Sequence, residues 1–90
     1  MKVSNMYSTR TNNKVANQFV IKGNNATYFQ SYNSIIVKIE DGKTYLDEYY
    51  WNYSRTTSKY RSSFLMENTK ETEKKIKAGE YVFANLNQAS

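Results

Sequence analysis

The chain has no cysteine, no histidine and no proline, and only three glycines in 90 residues. Without cysteine there is no disulfide framework, no thiolate nucleophile and no thiolate zinc site. That fits a reducing compartment without requiring one. Without histidine there is no Ser-His-Asp triad and no imidazole metal ligand, and the usual general base near pH 7 is missing. Carboxylates could still hold Mg²⁺ or Ca²⁺, but the acids are poorly placed for it. Asp47 and Glu48 are neighbours that strand alternation would send to opposite faces, and Glu40 and Asp41 belong to a turn. No metal and no cofactor is expected. Long apolar runs are also lacking: nothing approaches the roughly 18 residues of a membrane span. The first fourteen residues carry no apolar h-region, so no secretory signal is expected there.

Aliphatic residues are scarce. Leu, Ile, Val and Phe total 17 of 90 residues, just under the roughly 20% that warns of disorder at high net charge. Net charge is a moderate +5, and aromatics make up 16% of the chain, nine of them Tyr. Each aromatic buries a large area and can replace missing aliphatics. The expectation is one small folded domain of modest stability, for which a homodimer or a bound partner is a natural source of support.

Four stretches follow. Residues 1–18 are rich in Ser, Thr and Asn and hold Lys2, Arg10 and Lys14 with no acid. They read as a flexible basic N-terminal arm, either solvated or ordered on a partner. Residues 19–87 read as a single α+β domain, and 88–90 as a tail. Within the domain, Phe19-Val20-Ile21 and Ala26–Gln30 look like strands. Ile35, Val37 and Ile39 alternate with their neighbours as a half-buried strand does. Asp41-Gly42 is the strongest hairpin signal, because a type I′ turn needs positive φ twice. A three-stranded antiparallel meander is predicted.

Ser54 suits an N-cap. After it, Thr57, Tyr60 and Phe64, with Arg61 and Leu65, share one helical stripe, while Arg55, Lys59 and Ser62 share another face. Asn68 and Glu71 resemble a capping box, Glu71–Lys75 and Glu73–Lys77 have ion-pair spacing, and Gly79 marks the stop. Tyr81–Ala84 is the last strand. The predicted order is β-β-β-α-α-β: a small antiparallel sheet with two short helices packed on one face.

The segment Ser31-Tyr32-Asn33-Ser34-Ile35-Ile36-Val37-Lys38-Ile39, then Tyr45-Leu46, then Tyr53-Ser54-Arg55-Thr56-Thr57-Ser58-Lys59-Tyr60 and Phe64-Leu65, resembles a family of short phage and prophage proteins of unknown function. The resemblance covers roughly residues 27–66. It implies a phage-type setting, hence the cytoplasm of an infected or lysogenic bacterium. It carries no assigned activity or substrate.

Function must therefore be argued from the residues. Stretch 49–66 carries Arg55, Lys59 and Arg61 with no acid, interleaved with Tyr49, Tyr50, Trp51, Tyr53 and Tyr60. Cations neutralise phosphates, hydroxyls and helix N-termini hydrogen-bond them, and aromatics stack on exposed bases. Trp51, Tyr60 and Phe64 are expected mainly in the core. Tyr49, Tyr50, Tyr53, Ser54, Arg55, Thr56, Lys59 and Arg61 are the candidate binding residues. Arg55–Lys59 is not a P-loop, because it has no glycine to cradle phosphate. A hydroxyl nucleophile at Tyr53 or Ser54 beside Arg55 is the one arrangement suited to histidine-independent phosphoryl transfer. Capping by Ser54 and solvated cations explain the same residues more simply, so no enzyme is expected. The partner classes left are nucleic acid, a host nucleoprotein enzyme blocked in a counter-defence (anti-CRISPR-type) role, or a protein-only target met through Tyr and Arg hot spots. A membrane surface is not favoured, since neither helix pairs an apolar face with a purely basic one.

Overall fold

The computed structural model describes residues 2–8, 11 and 13–87. The tail at 88–90, and Arg10 of the basic arm, lie outside the described residues.

Five strands precede the helices: β1 (Lys2–Tyr7), β2 (Lys14–Lys22), β3 (Ala26–Ser31), β4 (Ser34–Glu40) and β5 (Lys43–Asp47). Helices α1 (Arg55–Leu65) and α2 (Thr69–Lys77) follow, and β6 (Tyr81–Ala84) closes the chain. The six strands form one sheet in the order β1-β2-β3-β4-β5-β6. The predicted β-β-β-α-α-β order and wholly antiparallel sheet are therefore corrected, though the α+β class stands. β1 and most of β2 come from the stretch read as an arm. β6 runs parallel to β5, because the two helices carry the chain back across one face before it re-enters the sheet.

Local chemistry sets the connections. Asp41 and Gly42 both take positive φ, 52° and 76°, as a type I′ turn requires. β2 is strongly bulged: five steps from Lys14 to Phe19 face two from Tyr7 to Asn5. Asn17 adopts φ 65° within the bulge, a conformation asparagine tolerates better than most residues. Its carbonyl accepts the Tyr32 N–H of the β3–β4 turn. β4 carries a second irregularity, since Phe29 pairs with Val37 but Gln30 with Ile35. Ile36 is the extra residue, which lets Ile36 and Val37 both be fully buried against strict alternation.

The fully or nearly buried apolar residues are Phe29, Ile36, Val37, Leu46 and Tyr60, flanked by Trp51, Phe64, Leu65, Ile76 and Tyr81. The Phe64 ring on α1 stacks on Phe29 at 5.7 Å. A buried hydrogen bond at 2.9 Å joins the Ser31 and Thr57 hydroxyls, fixing α1 to β3.

Ser54 caps α1 by accepting the Thr57 N–H, and Asn68 and Glu71 form the reciprocal capping box of α2. Gly79, at φ 81°, lies just beyond α2. The Lys75 ammonium does not pair with Glu71. It reaches Glu67 at 2.7 Å, leaving Glu71 to the cap. The Glu67 carboxylate, its side chain 4% exposed, also accepts the Tyr81 hydroxyl at 2.9 Å and the Thr72 hydroxyl. This buried knot ties the α1–α2 turn, α2 and β6 together. Burial alone would raise the Glu67 pKa, but bonds from Lys75, Thr72 and Tyr81 outweigh it and hold the carboxyl below its ordinary value. The same bond raises Lys75, while burial followed by Glu67 raises Tyr81.

Candidate functional site

The loop from β5 to α1 is shaped from beneath by Asp47. Its Oδ2 accepts the N–H groups of Tyr49 and Tyr50 at 3.0 and 2.8 Å, and its Oδ1 accepts the Leu86 N–H at 2.8 Å. An aspartate that captures backbone N–H groups two and three residues on makes a tight local turn. One buried carboxylate thus folds the loop and ties it to the chain leaving β6. On the other side, Asn52 Oδ1 accepts from Ser58 and Arg61, docking the loop on α1.

That turn throws tyrosines outward. Tyr49 is 80% exposed and Tyr53 51% exposed, with Tyr50 half-buried between them. Tyr50 lies 5.3 Å, ring centroid to centroid, from each of the other two, tilted against Tyr49 and edge-on to Tyr53. Trp51 turns inward, 5.9 Å from Phe83. Tyr60 and Phe64 join the core as expected.

Arg55, Thr56 and Lys59 are exposed on α1 beside the tyrosines. Neither Arg55 nor Lys59 has an acidic partner among the described residues. Lys59 sits 5.4 Å over the Tyr60 ring. Ser54 spends its hydroxyl on Thr57, and the N–H groups of Arg55 and Thr56 are left without an intrahelical acceptor.

Arg61 is different. It is wholly buried, and its guanidinium bonds the Trp51 carbonyl at 2.6 Å, Asn52 Oδ1 at 3.1 Å and the Thr69 hydroxyl at 2.8 Å. It also lies 5.1 Å over the Trp51 ring. Burial lowers its pKa, opposed by Glu67 and Glu73, and arginine keeps its charge regardless. Seven of the eight candidates are thus exposed or half-buried along the continuous stretch 49–59, and Arg61 braces the loop and α1 from inside. Sequence reasoning passed over Asp47 and Asn52 as organisers. The signal for Asp47 was an aspartate at a strand end just before the tyrosines.

Beside the tyrosines lies a half-open cleft of about 210 Å³ lined by Asp47, Glu48, Tyr49, Tyr50, Asn85 and Asn87. Asn87 is committed elsewhere, bonding both the N–H and the carbonyl of Ile35. Among the described residues there is no group of three or more His, Cys, Asp or Glu suited to a metal ion, and no helix long and apolar enough to cross a membrane.

The molecule is a two-layer α+β protein with an aromatic and basic surface where β5 leads into α1. It belongs to a family of unknown function, DUF8033, whose model matches residues 1–80. The match takes in β1 and β2 as well as the tyrosine surface and both helices. No curated protein and no solved structure matches the chain.

Proposed function

We propose that the protein is a small non-enzymatic accessory module that binds single-stranded nucleic acid, free or within a nucleoprotein, through Tyr49, Tyr50, Tyr53, Ser54, Arg55, Thr56 and Lys59. The observation that carries this reading is a trio of tyrosines packed around Tyr50, followed along the chain by two cations without an acidic partner among the described residues, in the first turns of α1. Exposed rings offer faces or edges to unstacked bases, each contact worth about 1–3 kcal/mol. Arg55, Lys59 and the free N–H groups of Arg55 and Thr56 supply the phosphate contacts. Two cations suit a short single-stranded stretch better than a duplex groove, and the proud loop suits splayed bases. The buried aspartate and arginine hold the loop rigid, which lowers the ordering cost of binding. In a phage-type setting, such a surface suits a counter-defence protein acting on a nucleoprotein enzyme with exposed guide or target strand. The surface is too basic to mimic nucleic acid.

Fluorescence anisotropy with short labelled single- and double-stranded DNA and RNA, at low and then physiological salt, tests the reading. The expected result is binding that favours single strands and weakens with salt. Absence of binding at low salt, with capture of a protein target that Tyr49→Ala or Tyr53→Ala abolishes, would replace it with a protein-only interface.

A further inference from the structure

Both helices lie on one side of the sheet: α1 through Phe64 on Phe29, and α2 through Lys75 at Tyr81. Strand alternation sends the residues between the core positions to the opposite side. There the strand register aligns Val3, Ile21, Tyr28, Lys38, Tyr45 and Val82 in one row across all six strands. The shortest dimension of the molecule, 22 Å, is that of one sheet and one helix layer. Apart from the end of β5, where Asp47 is buried under the Tyr49–Tyr50 turn and Leu86, this face has no second cover among the described residues.

A sheet face turned to water is normally polar. Five of the six residues in this row are apolar or aromatic. Val3 and Val82 at its ends are 59% and 48% exposed. The next row is mixed, Phe19 and Ile35 flanking the polar Gln30 with Asn5 at its edge. Lys38 is the charge in the row, and it pairs with Glu40 at 3.2 Å on the same face.

We propose that this face is a homodimer interface, with two copies packing sheet against sheet about a two-fold axis. Charge selects the partner. A two-fold interface must be self-complementary. A lysine and a glutamate side by side meet that condition, because a two-fold axis passing between them sets Lys38 of each copy against Glu40 of the other. Nucleic acid would need unpaired cations, and Lys38 is already matched. Area agrees: six strands about 4.8 Å apart and a few residues deep give a footprint of about 450 Å² per copy. Two copies then remove about 900 Å², the low end of interface sizes, which suits a weak dimer at micromolar concentration. Two twisted sheets stacked this way cross at about 30°. The dimer would also enlarge a sparse core, whose fully or nearly buried apolar members are Phe29, Ile36, Val37, Leu46 and Tyr60. The tyrosine surface takes no part in this argument, so the proposal holds or fails apart from nucleic-acid binding.

Sedimentation equilibrium of the full chain at micromolar concentrations tests it, with circular dichroism checking that each variant is folded. The expected mass is twice 10.6 kDa. Lys38→Glu should weaken the dimer at least tenfold by facing acid with acid, and so should Glu40→Lys by facing base with base. Mixing the two variants should restore it. Val82→Lys, at an exposed position that threatens the fold little, should weaken it too. A single-copy mass across the range would overturn the proposal. So would a dimer indifferent to all three substitutions, or a monomer whose Tyr28 and Tyr45 amide signals move on adding an oligonucleotide.

Discussion

The two sides of α1 carry the same kind of residue in opposite roles. On the outer side, Arg55 and Lys59 are exposed, unpaired by acid among the described residues and just after the tyrosine trio in the chain. On the inner side, two residues beyond Lys59, Arg61 is fully buried and holds Trp51, Asn52 and Thr69. A guanidinium that satisfies three acceptors from two segments, the β5–α1 loop and the start of α2, is a structural brace, because its planar fork matches several oxygens at once. A cation count over residues 49–66 merges the two roles. Helical phase separates them: Arg61 shares its stripe with Thr57 and Phe64, and Arg55 shares its own with Lys59.

Substitutions that break this contrast should differ in kind. The largest effect belongs to Arg61→Ala. It leaves the Trp51 carbonyl and the Thr69 hydroxyl without their donor and opens a cavity, costing about 3 kcal/mol of stability in chemical denaturation. Arg61→Lys should recover only part, since one ammonium cannot span three acceptors. Next come Tyr49→Ala and Tyr53→Ala. Each should weaken single-strand binding by about 1–3 kcal/mol in anisotropy titrations while the denaturation midpoint stays put.

A third test sharpens the contrast by pH. The Glu67 pKa is lowered in the fold, so its contribution is complete above the unfolded carboxylate value. It is lost as pH falls through that value toward the lowered one. Denaturation midpoints should drop over that acidic window, and Glu67→Gln should flatten the drop. The smallest stability effect belongs to Arg55→Ala and Lys59→Ala, which should leave thermal unfolding unchanged. Each should instead reduce the salt dependence of binding by about 0.7 in log–log slope. A loss of stability from either, or a salt-slope change without a stability loss from Arg61→Ala, would reverse the assignment.

Local signals in the sequence were reliable where one residue decides the geometry. Ser54 and Asn68 supply the cap oxygen a helix start needs, Gly79 and the Asp41-Gly42 pair take the positive φ their turns need, and all lie where the pattern placed them. The N-terminal hairpin was illegible for a physical reason. β1 is an edge strand, exposed along most of its length, and needs no alternation. In β2 the bulge at Asn17 breaks period two, so Val15, Gln18 and Val20 do not read as one face. The parallel pairing of β6 was equally hidden, since nothing in four residues declares which neighbour they will join or in which direction. At the site, the turn that leaves Tyr49 exposed is set by Asp47 binding the N–H groups of Tyr49, Tyr50 and Leu86. The bond to Leu86 spans 39 residues, and composition cannot show it.

Amide chemical-shift mapping of the full chain during titration with a short single-stranded oligonucleotide tests the central claim most directly. Saturable shifts should gather at Tyr49–Lys59, with Arg61 moving no more than the core around it. An unperturbed Tyr49–Lys59 segment at low salt, or shifts centred on the open sheet face instead, would contradict it.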